Sequence, residues 1–416
     1  MIRGTLASLA CFGIALVGEV PARGANTNAQ EVEEDHSLAS RLVTPHKAWG
    51  RGFAGGPIRA LFLVHAGHSS GEWNDPGTRL REVVELAQRF DLKAEAILFA
   101  GSGNTWEFHG QQLGEARAAR LLARPYELYV IAGFPLEKLP ARMQFMIIEQ
   151  VAKGAGLVCC GAGAAEFMTS KRQIRPLPAM LSDAMPRLEG KNLADSVAAY
   201  RMGKGRGVWL NCGAQSLTPY HEFTFRRLAE YDYWMLLVGR AALWAASRET
   251  ELSLTATGTP RVPSAKTQGL PLRSADEIVF VLKSPRSLTV QVELELRRAC
   301  DGLKKGLAAV DATLAPGQAV RVPVAVPRLR AGDYLVDAVV RSGRGVEAFG
   351  AASMVVESEF GVDKIELSQS FVERGDPIAV RTLLRGPPPA GAVLQVRLRD
   401  SYDRVLRQHE IGRAHG

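Results

Sequence analysis

Apolar and polar residues change period along this chain, and the change comes near residue 251. From Ile58 the pattern is short apolar runs alternating with segments of helical spacing. "IRALFLV", "LKAEAILF", "YELYVIAG" and "AGLVCCGAG" have strand length. "TRLREVVELAQRF" places Leu80, Val83, Val84 and Ala87 on one helical face, and "GQQLGEARAARLLA" and "LPARMQFMIIEQVAKG" continue the alternation. Strands that alternate with helices predict βαβ units and a parallel sheet covered on both faces. An irregular insertion with Pro176, Pro178 and Pro186 follows. The strand "RGVWLNC" and the helix "FTFRRLAEYDYWMLLVGRAALWAAS" then close the domain. The apolar core of that helix is short and interrupted by Arg240, which predicts a packed helix and not a membrane span.

After Glu251 the period becomes two. "LSLTATG", "EIVFVLKS", "SLTVQVELELRR", "QAVRVPVAV", "GDYLVDAVVRS" and "GAASMVVES" alternate between Gly, Pro and Ser turns, as strands of an immunoglobulin-like β-sandwich do. Glu293, Glu295 and Asp333 read as its solvent-facing positions. "DKIELSQSFVERGDPIAVRTLLRG" and "GAVLQVRLRDSYDRVLRQHE" begin a second sandwich with too few strands to close, which reads as truncation. The expected organisation is a signal peptide at 1–24, an irregular lead-in at 25–57, an α/β domain at 58–250, a β-sandwich at 251–358 and a partial one at 359–416. The expected fold class is α/β, a flavodoxin-like parallel sheet with helices on both faces, followed by all-β sandwiches.

The N-terminus bears on where the chain works. Arg3, an apolar stretch from Thr5 to Gly18, and small residues up to Gly24 have the grammar of a secretory signal. Cys11 falls inside it. The expectation is an exported protein (periplasmic, cell-surface or extracellular) with no transmembrane segment beyond that signal. Composition agrees with a globular chain: of 416 residues, 46% are hydrophobic and 23% charged. The net charge of +8 is spread among acids without a dense basic block, so nucleic acid is not an expected partner. Cys159, Cys160, Cys212 and Cys300 fit neither a zinc motif nor a small disulfide scaffold. A Cys160–Cys212 bridge and buried free thiols both remain open.

The element order from Ile58 to Ser247 resembles the class I glutamine amidotransferase-like domain. The resemblance is carried by "ELYVIAG", "GAGLVCCGAGAAEF" and "GKGRGVWLNCG" running into a helix that ends "RAALWAAS". It implies a nucleophilic Cys at the position of Cys160, followed by Gly161 and Gly163, where a helix N-terminus would favour thiolate. It also implies a His and a Glu two residues apart after the last strand. Here His221 and Glu222 are adjacent and late, so they are the candidate catalytic partners of a site expected to be degenerate. The resemblance is to the non-catalytic, exported branch, where the nucleophile position is an apolar strand residue. "GAGAAE" half-matches a dinucleotide fingerprint but lacks its third Gly, and no cofactor is expected.

Loops at the carboxyl ends of the strands carry the remaining chemistry. His65, His68, Trp73, Trp106 and His109 are the candidate ligand-binding residues. Two Trp among polar neighbours suit stacking on sugar rings, which makes extracellular or envelope carbohydrate the expected partner. A metal held by His65, His68 and His109 would need all three to converge, and no metal is expected. Three functions compete: a non-catalytic binding or scaffold module, the accessory front of a larger carbohydrate-active enzyme, and a Cys-dependent amidase or amidotransferase using Cys160.

Overall fold

The computed structural model describes residues 46–65, 76–102, 105–161, 167–188, 191–211, 225–257, 261–263, 278–300, 302–327, 329–357, 361–369, 377–386, 393–399 and 405–411. The expected signal peptide and most of the lead-in fall outside them, as do His68, Trp73, Cys212, His221, Glu222 and the dinucleotide-like turn beyond Gly161. Residues 46–357 form one compact unit, and the described residues beyond 357 belong to another.

The first part of the larger unit is a mixed eight-stranded sheet. Its strands are β1 (Ile58–His65), β2 (Leu92–Ser102), β3 (Thr105–Phe108), β4 (Leu128–Ala132), β5 (Gly156–Cys160) and β6 (Arg172–Gln173). A small hairpin, β7 (Arg187–Leu188) with β8 (Lys191–Asn192), interrupts before β9 (Val197–Met202) and β10 (Gly205–Leu210). The order is β3-β2-β1-β4-β5-β10-β9-β6. The five central strands run parallel, and the edges β3, β9 and β6 are antiparallel. Four helices pack on it: α1 (Pro76–Arg89), α2 (Gln111–Leu122), α3 (Ala141–Lys153) and α4 (Phe225–Ala245). Strand residues alternate between two cores. Ala60, Phe62, Val64, Val158 and Cys160 meet α1 and α4, while Leu61, Leu63, Leu157 and Cys159 meet α2 and α3. Gly239 of α4 allows the closest approach, since a Cβ there would lie 1.8 Å from the Phe90 ring.

The rest of the unit is antiparallel except for one strand. A three-stranded sheet orders β11 (Ser253–Ala256), β13 (Val279–Lys283) and β17 (Ala319–Pro323). A six-stranded sheet contains β12 (Arg261–Pro263), β14 (Leu288–Arg298), β15 (Lys304–Gly306), β16 (Val310–Leu314), β18 (Gly332–Ser342) and β19 (Gly345–Glu357). The exception is β12, which runs parallel to β19. The two sheets enclose a core containing Phe280, Leu282, Val292, Val336 and Met354. In β18 both faces are buried: Val336, Ala338 and Val340 enter that core, while Leu335 and Val339 join the α1/α4 core. The six-stranded sheet therefore lies between its partner sheet and the helices. Residues 46–57, read from sequence as irregular, are part of this packing. Trp49 is fully buried, and Phe53 bridges to Val346.

The expected fold class is corrected by this architecture. Strand makes up 49% of the structure and helix 23%, with most sheets small and antiparallel, so the chain is predominantly β and not an α/β fold with sandwiches attached. Helix–strand alternation in 58–250 is the most visible periodic signal, and it set the leading part of the expected class. It also missed the antiparallel edges, because a strand's direction depends on its connection and not on its composition. Beyond 357 the described residues form two hairpins, β20 (Gly361–Leu367) with β21 (Val380–Arg385) and β22 (Leu394–Arg399) with β23 (Val405–Ile411).

Candidate functional site

Two places bring chemistry together: the carboxyl edge of the parallel strands and the layer beneath α4. At the first, His65 ends β1 and is buried. Its Nε2 lies 3.0 Å from the Gly101 carbonyl oxygen, which can only accept, so the proton sits on Nε2. The β2–β3 hairpin returns Trp106 over this edge, opposite Gly101 in register. The indole centroid is 5.3 Å from His65, 5.5 Å from Phe99 in a stacked arrangement and 5.9 Å from Phe134. The ring is half-buried, held by aromatic contacts that leave it little rotamer freedom. It lines a depression of about 400 Å3 with Glu107, Gln111, Gln112, Glu115 and Lys138. Gln111 begins α2 at φ 51°, directly after Gly110 at φ 82°, a left-handed pair that turns the chain into the rim of the cleft.

His109 is exposed just past β3. Together with His65 it is the described part of the predicted histidine set, and among the described residues no group of three metal-ligating side chains is present. Trp106 and His65 are thus brought together, Trp106 as the stacking face and His65 as its support.

Cys160 is not at this edge cluster. It is fully buried, and alternation along β5 sends its side chain to the α1/α4 face beside Val158. By the same alternation His65 follows Leu61 and Leu63 to the other face. In register, Cys160 is level with Ala132 of β4, which is level with Val64 of β1. His65 is thus two strands away, about 10 Å between backbones at ordinary strand spacing, with the sheet between the two side chains. A base must reach its nucleophile within hydrogen-bond distance, so His65 cannot serve Cys160. Cys159 faces the α2/α3 core, where burial and then the neighbouring Cys160 push its thiol well above the ordinary range. Cys159 and Cys160 are buried, and Cys300 is exposed.

The second place is one that sequence reading missed. Under α4, the Asp232 carboxylate receives Arg89 Nη2 at 2.6 Å, Arg297 Nη1 at 2.8 Å and the Lys47 backbone N–H at 3.2 Å. Trp49 Nε1 donates to the Asp232 carbonyl at 2.8 Å, and Arg89 also pairs with Glu85. Next to it, Tyr233 donates to Asp337 at 2.8 Å, and Lys47 Nζ lies 3.4 Å from Asp337 and 3.1 Å from Glu295. Burial pushes Asp232 up, but Arg89 and Arg297 together outweigh it and hold the carboxyl below its ordinary value. Asp337 goes the other way, raised by burial that Lys47 and Arg297 only partly offset. This network joins α1, α4, the lead-in and β14 and β18. The one sequence signal was Asp337 inside the apolar run of β18. Lys47 and Glu295 are its partly exposed members, and Arg89, Asp232, Arg297 and Asp337 are buried.

No family model matches the chain, and no curated protein matches it. Among solved structures, a CARDB domain from Pyrococcus furiosus, crystallised with di-metal ions, is 14% identical over 26% of this chain and 89% of its own, with TM-score 0.20. A human PapD-like domain is 14% identical over 26% of this chain and 87% of its own, with TM-score 0.18. A β-glucosidase from Listeria innocua in complex with isofagomine is 11% identical, covering 76% of this chain and 48% of its own, with TM-score 0.19. Likenesses at these scores transfer no activity. Among the described residues, no helix is long and apolar enough to cross a membrane.

Proposed function

We propose that this is an exported binding or scaffold module whose amidotransferase-like layer works without catalysis, and that its ligand, extracellular or envelope carbohydrate, sits in the cleft at Trp106. The observation that carries the reading is the indole itself: half-buried, braced by Phe99, Phe134 and His65, and bordered by amides, carboxylates and a lysine. Such a rigid aromatic face ringed by hydrogen-bonding groups suits the apolar face and hydroxyl rim of a sugar ring. The burial of Cys160, on the sheet face opposite His65, supports binding over thiol chemistry.

The test is a glycan panel read by direct binding, with Trp106→Ala beside the unaltered chain. At least one glycan should bind the unaltered chain, and the variant should keep its fold and bind at least about tenfold more weakly. A panel in which nothing binds overturns the carbohydrate reading. Alkylation of the folded protein tests the absence of thiol catalysis. The exposed Cys300 should react at once, and Cys159 and Cys160 only after unfolding. Rapid labelling of Cys160 in the folded chain would reinstate the amidase.

A further inference from the structure

A second cavity, of about 250 Å3, opens where the end of α4, the lead-in and β19 meet, and it shares no residue with the Trp106 cleft. Phe53, Trp244 and Phe349 give it aromatic walls, and Arg240, Glu249, Glu251 and Glu347 give it charge, Glu251 being exposed and paired with Arg286. Glu347 is placed there by a bulge. Arg341 pairs with Val346 and Val340 with Ala348, so Glu347 is the extra residue of β19. Although fully buried, its carboxylate is only half used. Oε1 accepts from Ser342 at 2.7 Å and lies 3.3 Å from Arg344, whereas Oε2 has no hydrogen bond and its nearest cation, Arg286, is 3.9 Å away. Glu249 repeats the pattern, with Oε1 held by Arg206 and a buried Oε2 without a hydrogen bond.

Arg240 is the opposite charge. Its Nη1 donates to the carbonyls of Asp183 at 2.6 Å and Ala184 at 3.5 Å, and among the described residues no carboxylate stands within ion-pair distance of it. Burial pulls its pKa down to about 10, and the Asp183 charge only partly offsets it. A simple cation in this cavity would meet Arg240, and a simple anion would meet the carboxylates of Glu249, Glu251 and Glu347. We propose that the cavity binds a small zwitterion with an apolar body, an aromatic or branched α-amino acid, with its carboxylate toward Arg240 and its ammonium toward Glu347 and Glu249. Each buried group left half-satisfied then gains a charge-assisted partner, and the aromatic walls take the side chain.

Equilibrium dialysis of the full chain against L-phenylalanine, phenethylamine and 3-phenylpropionate separates the charges. L-Phenylalanine should bind, and each half-ligand at least about tenfold more weakly, because one buried charge stays unmet. Equal binding of either half-ligand overturns the zwitterion assignment. No binding of L-phenylalanine or L-leucine up to about 10 mM overturns the site. Ala348→Trp, which fills the cavity from β19 without removing a charge, should abolish binding with the melting temperature retained. Glu347→Gln should weaken L-phenylalanine at least about tenfold while leaving 3-phenylpropionate no weaker. L-Phenylalanine binding that is unmoved in both variants overturns the location.

Discussion

The α2/α3 side of the mixed sheet and its α1/α4 side bury alternate residues of the same strands, but charge is buried only on the second. On the first, Leu61, Leu63, Ile131 and Leu157 meet Leu121, Ile147 and Val151 of the two helices, and the polar features are phenols, a thiol and the His65 imidazole at the sheet edge. On the second, Phe62, Val130 and Val158 meet α4 in the same way, yet Arg89, Asp232, Arg297 and Asp337 lie buried beyond them. The difference follows from what covers each side. Solvent lies beyond α2 and α3, so their polar residues can point outward. A second sheet lies beyond α1 and α4, which leaves the described part of those helices little wet surface beyond Val84, and the charges buried there must find partners inside. The comparison teaches that one periodic pattern serves both situations, and only the neighbouring layer decides whether a helix's polar residues stay hydrated.

The sharpest way to break this comparison is Asp232→Ala. It strips Arg297 of its carboxylate and leaves two buried guanidiniums close together, which should destabilise the chain by about 3–5 kcal/mol in denaturant unfolding. A loss below about 1 kcal/mol would mean that the network is hydrated and the layers are separable. Acidification should act in the same direction. The Asp232 carboxyl is held below its ordinary value of 3.8, so its stabilisation is present above that pH and lost as pH falls through the folded value. The stability difference between the unaltered chain and Asp232→Asn should therefore shrink below pH 3.8, as followed by melting temperature.

Two buried tyrosines sharpen the contrast at smaller scale. Tyr233 donates to Asp337 within the charged layer, so Tyr233→Phe should cost about 1–3 kcal/mol by leaving a buried acceptor unmet. Tyr129, fully buried on the other side, makes no hydrogen bond of good geometry, with only the Tyr126 backbone nearby. Tyr129→Phe should change stability by less than about 0.5 kcal/mol, or raise it. If the two substitutions cost the same, the distinction between the faces fails.

Much of the candidate site was legible before folding was known. Strand ends followed by loops placed His65 and His109 at this edge, because a sheet sends its loops to its ends, whereas Trp106, read as a loop residue, lies inside β3. What those residues do together was not legible. Trp106 reaches His65 because β3 folds back antiparallel onto β2. Cys160 looked like a nucleophile because the residues after β5 are small, but whether a strand's last side chain faces an open cleft or a closed core depends on what lies above it. The Glu347 cavity carried no signal either, since a bulge is defined by the partner strand.

By itself the sequence determined the local periods: where strands and helices fall in 58–250, where strands follow from 251, and that cysteines 159 and 160 must face opposite sides of whatever sheet holds them. Tertiary structure alone decided that the described chain is predominantly β, that β18 has two buried faces, and that Arg89, 143 residues from Asp232, shares that carboxylate with Arg297. Backbone periodicity is set by neighbours a few residues away, which the sequence displays directly. The cover over each face, and with it the hydration of each charge, is set by segments brought together only when the layers close.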